Sequence, residues 1–236
     1  MGNPVRLEHR DTVALITIDD GKANALSSEV IAAIHSALDE AEARGPATRA
    51  VVIAGREGVL SGGFDLKVMR GGDRRAVSEL VTSGGELVLR LFRSAQPVVC
   101  ACTGHAIAAG ALVALGSHLR IGAGGEFRIG LIETAIGLVL PDWAVVIADE
   151  RINRSQVFRA VVEARVYDPV AASQAGFLDR VVPADGVVEV AVAEAARLGA
   201  LDPTAYAGNA AKLWGPGVAR LTAAVARDRD ALGSDR

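Results

Sequence analysis

The chain has little of several things, and each shortage closes a door. Two cysteines in 236 residues, Cys100 and Cys102, cannot build a disulfide framework, and their spacing is not that of a zinc pair. Buried, reduced thiols on one face of a strand are the plain reading, and a cytoplasmic location is expected with them. Aromatic residues make up 4%, so the core must come from Ala, Val, Leu and Ile within the 50% of residues that are hydrophobic. The formal net charge of −3 gives no electrostatic case for nucleic acid or an anionic membrane surface. Residues Met1 to Arg10 are polar and charged, so neither a signal peptide nor a membrane span is expected there. His9, His35, His105 and His118 have no ligand spacing, and no metal is expected. Gly122-Ala123-Gly124-Gly125 lacks the third glycine of a dinucleotide fingerprint, and Val59 stands where a nucleophile elbow at Ser61 needs glycine.

What is present begins with Pro97 to Leu115. An apolar strand-like run passes through Gly104 and the small residues Ala108, Ala109 and Gly110 into an Ala/Leu-rich helical run. Such a turn lets a ligand approach bare backbone amides near the positive end of a helix. A tightly packed buried helix fits the same residues. Elsewhere, Val5 to His9 and Val13 to Ile18 read as paired strands, and Ser27 or Ser28 caps a helix running to about Arg44. Ala50 to Ala54 is a short buried strand, and Leu60 to Lys67 a second glycine-hinged turn. Arg74 to Phe92 reads as an amphipathic helix weakened by Gly84-Gly85. Short strands are expected over Leu119 to Ala123, Phe127 to Gly130 and Val181 to Pro183. Helices are expected over Asp142 to Glu150, Ser155 to Val162 and Pro169 to Ala175. From Val187 onward the pattern is helical, with breaks at Asp202-Pro203 and Gly215-Pro216-Gly217. The change near Asp185 divides an α/β core, 1–185, from a helical segment, 186–236.

The two glycine turns each follow a buried strand, and Ile129 to Leu138 sets one carboxylate, Glu133, among apolar residues. Converging backbone N–H groups can hold an oxyanion, and a carboxylate in an apolar cleft can act as a base with a raised pKa.

Four blocks then carry a resemblance: Lys22-Ala23-Asn24-Ala25-Leu26, Ser61-Gly62-Gly63-Phe64-Asp65-Leu66-Lys67, Gly104 to Leu115, and Ile129 to Pro141. In this order they resemble the signature blocks of the crotonase superfamily, the enoyl-CoA hydratases and isomerases. The resemblance implies a spiral of ββα units with a C-terminal helical segment that mediates trimerisation, often into a hexamer. It implies an acyl-CoA substrate, with CoA as part of that substrate and no separate cofactor, and a thioester carbonyl held by two amides. Those fall on Phe64 and on Ala109, where the family usually has glycine. Phe64, Asp65, Leu66 and Lys67 would line the CoA and acyl path, with Leu112 and Ala109 beside it, and Lys22 and Ala23 lie where the family grips CoA. Hydratases of the family carry two glutamates. The second matches Glu133, but the first falls on Leu112, which cannot transfer a proton. A single-glutamate double-bond isomerase is therefore the expected activity. An enoyl-CoA hydratase of the fatty-acid oxidation type is the alternative, and a non-catalytic acyl-CoA binder a further one. Asp142 matches an aspartate that some members use, and after Pro141 it is also placed to cap a helix. Of the four histidines only His105, inside the glycine turn, is placed to reach this chemistry, and a packed or surface position is its other reading.

Overall fold

The computed structural model describes residues 3–233, and of Leu232 and Gly233 the backbone only. The chain opens with β1 (Val5–Arg10) and β2 (Val13–Ile18), an antiparallel pair turned at Asp11, followed by α1 (Ser28–Ala43), β3 (Ala50–Gly55) and β4 (Gly58–Ser61). Next come α2 (Leu66–Arg70), α3 (Arg74–Phe92), β5 (Val98–Cys102), β6 (Gly104–Ile107) and α4 (Ala109–Gly116). The remainder is β7 (Leu119–Ala123), β8 (Ile129–Gly130), α5 (Asp142–Arg151), α6 (Val157–Val161), α7 (Pro169–Ala175), β9 (Arg180–Val182), α8 (Val187–Gly199) and α9 (Pro203–Gly233).

Two sheets divide the strands. The larger has the order β1-β2-β3-β5-β7-β9, and every pair in it after the first is parallel; the smaller, β4-β6-β8, is wholly parallel. The run from Pro97 to Leu115 is therefore not one strand entering one helix. It holds two strands in different sheets before α4, because the backbone turns a corner at Thr103-Gly104. At that corner a β-carbon on Gly104 would lie 2.0 Å from the Gly58 carbonyl oxygen, and one on Gly55, at the preceding corner, 2.1 Å from that of Val59. Only glycine lets the two sheets approach this closely. The result is a repeated unit of strand, corner, strand and helix, as expected of ββα repeats.

Alternation along the strands sorts two cores. Ile16, Ile53, Cys100 and Cys102 face α1, α3 and α4 in the larger one, whereas Leu15, Val52, Val99 and Ile121 face Val187, Ala191 and Ala195 of α8. The helical region after residue 185 thus begins with a helix that covers the outer face of the large sheet. Both thiols are buried, and desolvation lifts that of Cys102 to about 12.

Local signals set most boundaries. Ser27 Oγ accepts the Val30 N–H at 3.2 Å, Asp73 that of Ala76 at 3.1 Å, and Asp202 that of Ala205 at 2.7 Å ahead of Pro203. β8 is shorter than the strand expected over Phe127 to Gly130, since the Arg128 N–H turns to His105 Nδ1 at 3.0 Å. The expected break at Gly215-Pro216-Gly217 does not occur: α9 runs through Pro216. An interior proline costs about 3 kcal/mol. Here Leu221, Ala224 and Val225 bury into the main core beyond it, and Arg220 pairs with Asp149 and Glu150 of α5, each at 2.7 Å.

Candidate active site

Parallel strands end at the same edge, so the segments leaving β4, β6 and β8 must meet, and ligands in parallel α/β sheets bind beyond the carboxyl ends of strands. Those segments carry Phe64, Ala109 and Glu133. The Ala108 N–H donates to the Gly130 carbonyl at 2.9 Å, which ties the second segment to the third. Gly63, at φ +101°, packs against the second from the other side: a β-carbon there would lie 3.5 Å from the Ala109 nitrogen and 3.0 Å from Ala108 Cβ. A side chain at residue 63 would thus fill the space where the two turns converge.

Neither the Phe64 N–H nor the Ala109 N–H donates to backbone among the described residues. Ala109 is the first residue of α4, where amides have no intrahelical acceptor, and it has ordinary helical geometry. The unusual backbone lies one residue earlier, at Ala108, with φ 54° and ψ −126°. The sequence pointed to residue 109 as the departure from glycine, but the conformational demand falls on 108.

Phe64 owes its position to α3. Its ring rests on Gly84, where a β-carbon would lie 2.4 Å from Cζ, and Trp143 of α5 rests on Gly85 at 2.9 Å by the same measure. The glycine pair does not break α3, which spans Arg74–Phe92 unbroken. It is a seat for two rings.

Glu133 sits in the turn after β8, beside the short helical turn Thr134–Ile136. Its Oε2 is buried with no hydrogen-bond partner among the described residues. Desolvation pushes its pKa up, against the smaller opposing effect of its own amide and that of Ile132. Leu112, one turn along α4 from Ala109, is 1% exposed and belongs to the main core.

The remaining residues flank this edge. Asp65 caps α2, accepting the Lys67 N–H at 2.8 Å, while Leu66 and Lys67 are exposed. Lys22 and Ala23 are also exposed; the Ala23 carbonyl accepts the Gly62 N–H at 2.8 Å, and the Lys22 carbonyl is held by the Arg56 guanidinium. Their anchor is Asn24, which sequence reasoning passed over. Fully buried at φ 50°, it donates to the carbonyls of Ile18, Val59 and Leu60 and accepts the Asp20 N–H at 3.0 Å. Asparagine's tolerance of positive φ was the available signal.

One expectation needs correction, and one open choice is decided. Asp142 does not cap α5: Pro141 holds the cap position, and Asp142, the first helical residue, pairs with Arg227 at 3.0 Å. The capping carboxylate is that of Asp228, hidden in the charged run at the end of α9. His105 is a structural acceptor for Arg128, edge-on to Phe127 at 5.4 Å.

The same fold recurs among known proteins. A family model described as enoyl-CoA hydratase/isomerase matches residues 8–231. An enoyl-CoA hydratase/isomerase family protein from Pseudomonas syringae superposes with a TM-score of 0.91 at 38% identity, covering 96% of this chain and 97% of that one. An enoyl-CoA isomerase from Mycobacterium tuberculosis superposes with a TM-score of 0.91 at 32% identity, with both chains covered completely, 100% and 100%. The human mitochondrial enoyl-CoA delta isomerase 1 is 31% identical over 186 residues, which are 78% of this chain and 62% of that enzyme's length. The match therefore spans about three fifths of that relative.

Proposed function

The chain belongs to the enoyl-CoA hydratase/isomerase family, and from that premise we propose that it is a double-bond isomerase acting on acyl-CoA thioesters with Glu133 as its one catalytic carboxylate. The observation that carries this reading is a contrast within one edge of the small sheet. Glu133 keeps a buried oxygen without a partner, whereas the position that would supply a second carboxylate is Leu112, sealed in the core.

The chemistry follows from the groups present. Glu133 removes a proton from C2 of a 3-enoyl thioester. The electron pair moves into the thioester carbonyl, and the resulting enolate oxygen is held by the N–H groups of Phe64 and Ala109. Glu133 then returns the proton at C4 as the double bond settles between C2 and C3. Preorganised oxyanion donors contribute about 3–4 kcal/mol each to such a step. A raised carboxylate pKa brings the base closer to the acidity of the proton it must take. Hydration asks for more, because a second group must orient water, and Leu112 offers none. Asp142 is tied to Arg227. No metal or redox cofactor is needed, and CoA arrives with the substrate, with Lys22, Ala23 and Asp65 to Lys67 along its path.

Self-association into a trimer or hexamer belongs to the same proposal. It is assigned to the helical segment after residue 185, where Leu201 and Leu213 are 48% and 72% exposed. Two buried reduced thiols support a cytoplasmic site of action. Among the described residues no helix is long and apolar enough to cross a membrane.

The test is turnover of matched 3-enoyl and 2-enoyl CoA thioesters by the purified protein, with light scattering for its assembly. Rapid isomerisation with slow hydration is expected. Fast hydration favours the two-group reading, and tight binding without turnover the acyl-CoA binder.

A further inference from the structure

The far end of α9 is fastened to the start of α5 by three contacts. Asp228 accepts the Asp142 N–H on Oδ1 at 3.1 Å and the Trp143 N–H on Oδ2 at 2.9 Å. Arg227 Nε meets Asp142 Oδ2 at 3.0 Å. The first amides of a helix lack intrahelical acceptors. In α1, α3 and α7 the residue just before the helix supplies one. Pro141 cannot, so a carboxylate 85 residues away from Trp143 does so.

What this cap holds is next to the site. Trp143 is fully buried, and its indole N–H has no partner among the described residues. The amide held by Asp228 is thus its polar contact outside its own helix. Its ring lies on Gly85, next in sequence to the glycine that seats the Phe64 ring. We propose that Asp228 is a positioning residue for the oxyanion hole: it fixes Trp143, and the two rings packed on adjacent glycines of α3 fix the direction of the Phe64 N–H. The proposal rests on the reading of Phe64 as an oxyanion donor. Because it acts through packing, its loss displaces the donor and leaves the CoA path intact.

Two measurements test it in a Trp214→Phe background, which leaves Trp143 as the sole indole of the two. The first is the carbonyl stretch of bound butyryl-CoA, a saturated thioester with no double bond to move, which drops when the hole's amides bond the oxygen. The second is the Trp143 emission maximum. Asp228→Ala is expected to return the carbonyl stretch toward its value in water, shift the emission to the red, and lower kcat on a 3-enoyl thioester about ten- to a hundredfold with KM within about twofold. Asp228→Asn keeps one acceptor oxygen but turns an NH2 donor toward the second amide, so it is expected to recover all three in part, between alanine and the parent. Should the alanine variant not fold, Asp228→Ser, whose shorter side chain cannot span both amides, is expected to give an intermediate loss. If butyryl-CoA shows no carbonyl shift on the unaltered protein, the oxyanion reading of Phe64 fails and this inference goes with it. If the shift is present and survives Asp228→Ala with the emission unmoved, the oxyanion reading stands and the role of Asp228 is refuted. Equal impairment by alanine and asparagine also refutes it.

Discussion

The tip of the Phe64 ring rests so closely on Gly84 that a β-carbon there would lie 2.4 Å from Cζ. Glycine inside a helix ordinarily costs about 1 kcal/mol relative to alanine. At Gly84 the sign reverses, because the added methyl must displace a ring that is packed against the core. Gly84→Ala is expected to lose about 1–2 kcal/mol by overpacking, and to slow turnover because Phe64 carries a proposed oxyanion donor. Gly208, also helical, has nothing within 4 Å of its β-carbon position. Gly208→Ala should therefore gain about 0.5–1 kcal/mol. Thermal melts of the two variants side by side check both signs.

Ala108 holds φ 54° and ψ −126°, a region that costs a residue with a β-carbon about 1–3 kcal/mol. Its N–H bond to Gly130 and its contact with Gly63 keep it there. Ala108→Gly removes the β-carbon penalty and adds some freedom to the unfolded chain. A net gain of about 1 kcal/mol is expected, with isomerase activity retained because the Ala109 N–H is untouched. A destabilised variant would show that the Ala108 methyl contributes packing that outweighs its strain.

Much of this was legible in the sequence, for a physical reason that also marks its limit. Helix and strand periods, caps and turn residues are local, and α3 and α7 fall where composition put them, at Arg74–Phe92 and Pro169–Ala175. The family resemblance rested on four blocks, and the segments that carry Phe64, Ala109 and Glu133 do meet at one sheet edge. What could not be read were contacts between distant segments. Gly84-Gly85 looked like a weakness because the rings that need the space lie 20 residues before it and nearly 60 after. The strand break at Gly104 was hidden because a corner between two sheets and a turn into a helix use the same residue. Pro216 was read as a stop because its helix is held by α5, and Asp228 was lost in a charged run because the amides that donate to it are on another helix.

Glu133 links stability to activity. Burial raises its pKa in the folded protein. A carboxyl whose folded pKa exceeds its unfolded one contributes stability at low pH that is lost as pH rises through the folded value. Glu133→Gln should therefore melt higher than the parent at neutral pH and lose that advantage below the ordinary glutamate range, near ~4.3. The same substitution removes the base, so turnover of 3-enoyl thioesters should fall about 10²–10⁴-fold. In the parent, the acid limb of kcat/KM should lie above the ordinary glutamate range, since that profile reports the base in free enzyme. An unchanged rate in the glutamine variant would move the proton-transfer role elsewhere.

Leu112→Glu asks whether one missing carboxylate separates this chain from a hydratase. Leu112 is 1% exposed among core residues, three positions along α4 from Ala109. Burying an unpaired carboxylate there shifts its pKa upward rather than leaving it charged. A loss of about 2–5 kcal/mol is expected from the leucine packing alone. If the variant remains folded in thermal melts, a glutamate from residue 112 would supply the second group that water addition requires. Hydration of 2-enoyl-CoA should then rise from its parental level, more at alkaline pH than at neutral, because the new carboxyl must ionise to orient water. Isomerisation by Glu133 should persist at a reduced rate. A folded Leu112→Glu protein that still adds no water at high pH would show that the absent hydratase activity lies in the shape of the acyl cleft, with Phe64 and Trp143 of α5, whose rings pack against α3, the next residues to vary.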